Sequence, residues 1–222
     1  MAKFDKLAVM AKIGSTGMVP VFYHKDAEVA KQVIKACYAG GVRAFEFTNR
    51  GDFAHEVFAE VNKWCATACP EMAMGVGSVV DPATAALYIQ LGANFIVSPS
   101  LNPDMAKVCN RRKIAWIPGC GTLTEINTAE ELGCEIVKIF PGTEVGGPSF
   151  VKAIKGPCPW TEIMPSGGVS PEPASLEAWF KAGVACVGLG SQLTPKDVIA
   201  NGDFNFIETK IRECIEFVKK IR

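Results

Sequence analysis

Lys138 lies inside the run Glu135-Ile-Val-Lys-Ile-Phe140, between Gly133 and Pro141-Gly142. The run is short, apolar and rich in β-branched residues, which predicts a strand buried on both faces, as in parallel sheets. A lysine rarely sits in such a place without a partner, because its ammonium loses hydration there. Burial favours the neutral amine, a nucleophile toward carbonyls. A lysine at a wet strand end can instead run its stem along the strand and keep its charge in water. The strand alone leaves both readings open. A second candidate is Glu46, in the segment Glu46-Phe-Thr-Asn-Arg50. Strand alternation puts Ala44, Glu46 and Thr48 on one face and Phe45 and Phe47 on the other. With the phenylalanines against helices, Glu46 points inward, either to serve chemistry with Lys138 or simply to neutralise it. Arg50 follows at the strand end, where its forked donors suit a carboxylate.

These residues need a scaffold, and the chain supplies an alternating one. A helix is expected over residues 3–14. Strand-like segments then fall at 18–23, 42–47, 73–77, 94–97, 114–117, 135–140, 162–165 and 185–189, each followed by helical periodicity. Asp26 and the Asp81-Pro82 pair read as helix starts, and Thr122 with Glu125 reads as a capping box. The last helix is expected from about residue 206, with Ile207, Ile211, Ile215 and Val218 on one side. Parallel strands need long crossovers, which these helices provide. The expectation is one α/β domain over residues 1–222: a single (β/α)8 TIM barrel with an extra N-terminal helix. An open doubly wound sheet is the rival; no G-x-G-x-x-G follows the first strand to favour a dinucleotide site.

In such a barrel the chemistry collects at the carboxyl ends of the strands. Those ends carry Gly77-Ser78, Ser98-Pro99, Lys138 with Phe140, Ser166-Gly167-Gly168 and Gly190-Ser191. The two last turns occupy the usual phosphate position of this fold, where glycine lets an anion approach backbone N–H groups. Other polar residues weigh less. His24 reads as a loop histidine, His55 as a surface one, and Phe53 and Phe58 as helix packing. Cys120 reads as a small filler in a loop.

Composition removes several classes of function. The 222 residues carry 23 basic and 23 acidic side chains, a formal net charge of zero, and no basic cluster suited to nucleic acid. Two histidines and nine scattered cysteines form no zinc or CxxC pattern, so a metal-free, reduced, cytoplasmic protein is expected, with no cofactor. Charged residues near the start argue against a signal peptide, and no run reaches membrane-spanning length.

Taken together, the strand ends resemble the 2-keto-3-deoxy-6-phosphogluconate (KDPG) / 4-hydroxy-2-oxoglutarate (KHG) aldolases. The similar stretches are Gly40-Gly-Val-Arg43, Glu46-Phe-Thr-Asn-Arg50, Gly75-Val-Gly-Ser-Val79, Ser98-Pro99, Ile117-Pro-Gly119, Val137-Lys-Ile-Phe-Pro141 and Pro165-Ser-Gly-Gly-Val169. The resemblance implies a (β/α)8 barrel, a homotrimer and a class I aldolase that needs no metal. It implies that Lys138 forms a Schiff base and Glu46 shuttles protons. Arg50 and Ser78 would hold the substrate carboxylate, Pro99 and Phe140 would line the pocket, and Gly167, Gly168 and Ser191, with Ser166 beside them, would bind phosphate. The implied partners are a phosphorylated keto-deoxy sugar acid and pyruvate. Departures fall around the substrate: Ser78 and Ser166 where threonine is common, Asn49 for leucine, Pro118-Gly-Cys-Gly-Thr122 for Pro-Gly-Ile-Ser-Thr, and Tyr23 where some members have arginine. They bear on which acid is bound, a gluconate, a galactonate or the smaller oxoglutarate. Two other readings use the same residues: a sugar-phosphate isomerase or synthase, with Lys138 as a non-covalent clamp, and a binder of phosphorylated ligands.

Overall fold

Alternation along the strands divides the apolar residues into two sets, and the computed structural model, which describes residues 2–222, has both. Phe45 and Phe47 belong to the larger cluster between sheet and helices, whereas Ala44, Ala73, Phe95 and Ile136 belong to a smaller one on the opposite face. The chain opens with α1 (Lys6–Thr16), which adds Val9 and Ile13 to the smaller cluster. Both are fully buried, a burial that stabilises by about 2 kcal/mol each.

Helices and strands then alternate: β1 (Met18–Phe22), α2 (Ala27–Gly40), β2 (Ala44–Thr48), α3 (Ala54–Ala68), β3 (Ala73–Gly77), α4 (Pro82–Gln90), β4 (Phe95–Val97), α5 (Pro103–Arg111) and β5 (Ala115–Ile117). Next come β6 (Gly119–Cys120), α6 (Leu123–Glu131), β7 (Val137–Ile139), α7 (Gly147–Lys155), β8 (Ile163–Pro165), α8 (Pro173–Ala182), β9 (Val187–Leu189), α9 (Lys196–Ala200) and α10 (Phe204–Ile221). All pairings are parallel. One sheet runs β5-β4-β3-β2-β1-β9 and another β6-β7-β8. A bridge between Ser166 and Gly188 links β8 to β9. The result is an α/β fold with a curled parallel sheet and an N-terminal helix.

The predicted caps form. Asp26 accepts from Glu28 N at 2.8 Å and Asp81 from Thr84 N at 2.8 Å. Thr122 accepts from Glu125 N at 3.2 Å, while Glu125 reaches back to Gly121 N at 3.0 Å. The face of α10 carrying Ile207, Ile211, Ile215 and Val218 is buried.

Several expectations need correction. The opening helix starts later than residue 3, because Asp5 caps it by accepting from Ala8 N, and it ends at left-handed Gly17. The expected fifth strand forms as β5, but a further short strand, β6, which was not foreseen, follows after Pro118, whose lack of an N–H interrupts the ladder. Cys120 is therefore a buried strand residue paired with Ile139, and not part of a loop. The short helix α9 was not foreseen. Phe58 is buried as expected, but Phe53 is 66% exposed at a φ of 60°, on the turn entering α3, and packs no helix.

Candidate active site

Glu46 and Lys138 converge from β2 and β7. Glu46 is 1% exposed and Lys138 6%, with Lys138 Nζ 3.7 Å from Glu46 Oε1. That distance holds an ion pair but exceeds a hydrogen bond, so the Lys138 amine is not tied to the carboxylate by a hydrogen bond. Glu46 Oε2 is buried with no hydrogen-bond partner. An orphaned buried acceptor is uncommon in a folded protein and calls for a functional reason. The ring of Phe140, next inward-facing residue along the chain, has its centroid 5.2 Å from Lys138 Nζ.

Glycine makes the carboxylate's position possible. In the β2–β3 register Glu46 pairs with Gly75 and Thr48 with Gly77. A β-carbon at Gly77 would collide with Glu46 Oε1, and one at Gly75 with the Phe95 ring. The sequence singled out neither contact, because they depend on the registers of β2 against β3 and of β3 against β4.

Arg50 and Ser78 meet at the ends of the same two strands: Arg50 Nε donates to Ser78 Oγ at 3.0 Å. Ser78 has a φ of 58°, a left-handed conformation that an unbranched side chain tolerates better than a β-branched one. Asn49, seen in the sequence only as a departure from leucine, has a structural task. Tyr88 Oη donates to Asn49 Oδ1 at 2.8 Å, and Asn49 N donates to Gly77 O at 2.8 Å. This pins the turn that carries Arg50. Burial pushes the Tyr88 phenol up to about 12, so it stays a donor at any ordinary pH.

A cavity of about 490 Å³ opens beside these groups, lined by Tyr23, Thr48, Arg50 and Phe140 and by both glycine turns. Gly167 and Gly168 have φ of 86° and 76°, a backbone form natural to glycine. Gly142 N donates to Ser166 O at 2.9 Å and fixes the start of that turn. Ser166 and Ser191 line the cavity too. Of the predicted set, then, Arg50, Phe140, Ser166, Gly167, Gly168 and Ser191 line one cavity, with Ser78 bonded to Arg50 and Lys138 beside Phe140. Pro99 is outside the lining, its carbonyl pressed close to Gly119. Gln192, Thr194 and Lys196 line the cavity and were missed. Their only signal was position, just beyond the Gly190-Ser191 turn.

The lesser candidates stay lesser. His24 Nδ1 accepts from Asp26 N at 3.1 Å and so shapes a turn. Burial pushes the Cys120 thiol up to about 12, so it carries no thiolate at neutral pH. Among the described residues, no group of three or more His, Cys, Asp or Glu side chains could hold a metal ion, and no helix is long and apolar enough to cross a membrane.

A family model described as KDPG and KHG aldolase matches residues 9–210. The chain belongs to that family. It is 34% identical over 202 residues to the KHG/KDPG aldolase of Escherichia coli K12, covering 91% of this chain and 92% of that protein. Its fold superposes with a TM-score of 0.83 on KDPG aldolase from Legionella pneumophila, whose structure holds pyruvate captured at low pH as a covalent carbinolamine intermediate. The identity there is 27%, with 92% of this chain and 97% of that chain covered. The KDPG aldolase of Zymomonas mobilis ZM4, solved with 3-phosphoglycerate, gives a TM-score of 0.80 at 26% identity, over 94% of this chain and 95% of that chain.

Proposed function

We propose that this protein is a class I aldolase, a lyase that cleaves KDPG or KHG to pyruvate and an aldehyde. The observation that carries the reading is a lysine buried to 6% exposure, 3.7 Å from a buried carboxylate whose other oxygen has no partner. The covalent pyruvate adduct in the Legionella relative supports it. Lys138 in its amine form adds to the C2 carbonyl, giving a carbinolamine. Glu46 supplies the proton with which water leaves, forming the protonated imine. The Glu46 carboxylate then takes the C4 hydroxyl proton, and the C3–C4 bond breaks with its electron pair passing into the imine. An aldehyde departs and an enamine remains. Protonation of the enamine at C3 and hydrolysis of the imine release pyruvate and regenerate the amine. The sequence is covalent and general acid–base catalysis.

In this reading Arg50 and Ser78 hold the substrate carboxylate, and Phe140 walls the reacting carbons, with Pro99 behind the strand ends. The Ser166-Gly167-Gly168 turn and Ser191 take the phosphate; the 3-phosphoglycerate in the Zymomonas relative supports an anion of this kind. Closure of the sheet into a full (β/α)8 barrel is supported by the two bonds flanking Pro118: Gly119 N to Ser98 O and Lys138 N to Pro118 O, both at 2.9 Å. With them the eight-strand ring would make residues 1–222 one domain. We assign a homotrimer and a cytoplasmic setting on family likeness, and exposed Phe53, Val80 and Leu87 on consecutive βα units offer apolar surface to a partner copy.

The deciding experiment is borohydride reduction in the presence of pyruvate, followed by peptide mass analysis. A reduced pyruvate adduct is expected on the peptide containing Lys138; its absence would sink the Schiff-base reading, and with it leave the isomerase chemistry standing. Gly77 gives an independent check on Glu46. In Gly77→Ala the new methyl group must displace the carboxylate, and kcat should fall about 100-fold, measured by coupled pyruvate detection. A kcat close to that of the parent would mean that the placement of Glu46 is unimportant.

A further inference from the structure

The charges around the cavity are unevenly placed. Arg50 and Lys196 line it, and no aspartate or glutamate does. Lys138 is set aside by its own partner, Glu46. Arg50 already donates to Ser78 at the end of β2 and β3. Lys196 opens α9, after the Gly190-Ser191 turn that follows β9. It is exposed and makes no ion pair among the described residues, so its ammonium is available to a ligand.

Both cations line one cavity, Arg50 just past the end of β2 and Lys196 on α9 after the Gly190-Ser191 turn, so one elongated acid can meet both. With the carboxylate at Arg50, the far end falls among the glycine turns and Lys196. Backbone N–H groups in the turns supply directional hydrogen bonds to phosphate, but no full charge. Lysine supplies the charge, as a flexible point cation that needs no fixed geometry.

We infer that Lys196 is a specificity-determining residue: its ammonium contacts the distal phosphate and gives this enzyme its preference for phosphorylated over unphosphorylated keto acids. The inference rests on the aldolase reading above. It adds a residue that neither the strand-end pattern nor the family resemblance had picked out, on an element that follows the phosphate turn.

The test compares the full-length protein with Lys196→Met and Lys196→Arg. Each is assayed on KDPG and on the same keto acid lacking its phosphate. For Lys196→Met, kcat/KM on KDPG should drop about tenfold, through KM and not kcat. On the unphosphorylated acid it should change by less than about twofold, so the ratio between the two substrates collapses. Lys196→Arg should restore most of that ratio. An unchanged ratio in Lys196→Met overturns the inference, and so does a parallel fall on both substrates, which would mean a structural role. Borohydride trapping on the unmodified protein separates the two levels. With Lys138 labelled, an unchanged ratio overturns only the assignment of Lys196. Without the label, the aldolase reading fails and this inference falls with it.

Discussion

Lys138→Met should lower kcat by roughly 10⁵–10⁶-fold, the scale on which loss of a covalent nucleophile is felt, and should remove the borohydride adduct altogether. Methionine keeps the length and apolar stem of lysine, so packing against Phe140 survives while the amine is gone. The substitution also has a stability consequence. Glu46 is 1% exposed and, among the described residues, is ion-paired with Lys138 alone. Removing one member of a buried pair leaves an uncompensated charge, which costs about 3 kcal/mol. Chemical denaturation should register that loss. The double variant Glu46→Gln/Lys138→Met should recover part of it, because the stranded charge is removed as well. Substantial turnover by folded Lys138→Met would exclude the Schiff-base mechanism, since Lys138 is the one buried lysine among the described residues.

Glu46→Gln carries the second largest effect. Glutamine keeps the shape of the side chain but cannot exchange a proton, so kcat should fall about 10²–10⁴-fold, the usual range for one general acid–base group. The nucleophile remains, so borohydride still labels Lys138, only more slowly. This split separates the two residues: Lys138→Met loses label and turnover together, whereas Glu46→Gln loses turnover and keeps the label. A Glu46→Gln variant with kcat near that of the parent would reduce the carboxylate to a counter-ion for Lys138, the other reading its position had allowed.

Alternation explains why so much of the pair was legible before any coordinates. A strand sends successive side chains to opposite faces, so two phenylalanines flanking Glu46 were enough to turn it inward. Val137 and Ile139 do the same for Lys138, and both pack in the outer cluster. The Ser166-Gly167-Gly168 segment was legible as a turn because paired glycines accept the positive φ that it needs. What failed was local in another way. Phe53 reads as a packing residue by type, yet a left-handed backbone at the entrance to α3 turns it to solvent. Cys120 reads as loop because Pro118 breaks the apolar run, yet the chain resumes pairing immediately afterwards with β7.

The sequence by itself determined the alternation of strand faces, where helices are capped, and that Lys138 and Glu46 fall on strand faces able to meet in an alternating α/β chain. Those properties are set by near neighbours in the chain, through periodicity and backbone preference. Only the tertiary structure decided that Glu46 and Lys138 come to 3.7 Å, that Gly77 must lack a side chain to allow it, that Tyr88 anchors Asn49, and that Lys196 faces the cavity. Each depends on how strands distant in sequence are registered in the curled sheet. Register is fixed by the packing of the whole sheet against its helices and not by any one segment.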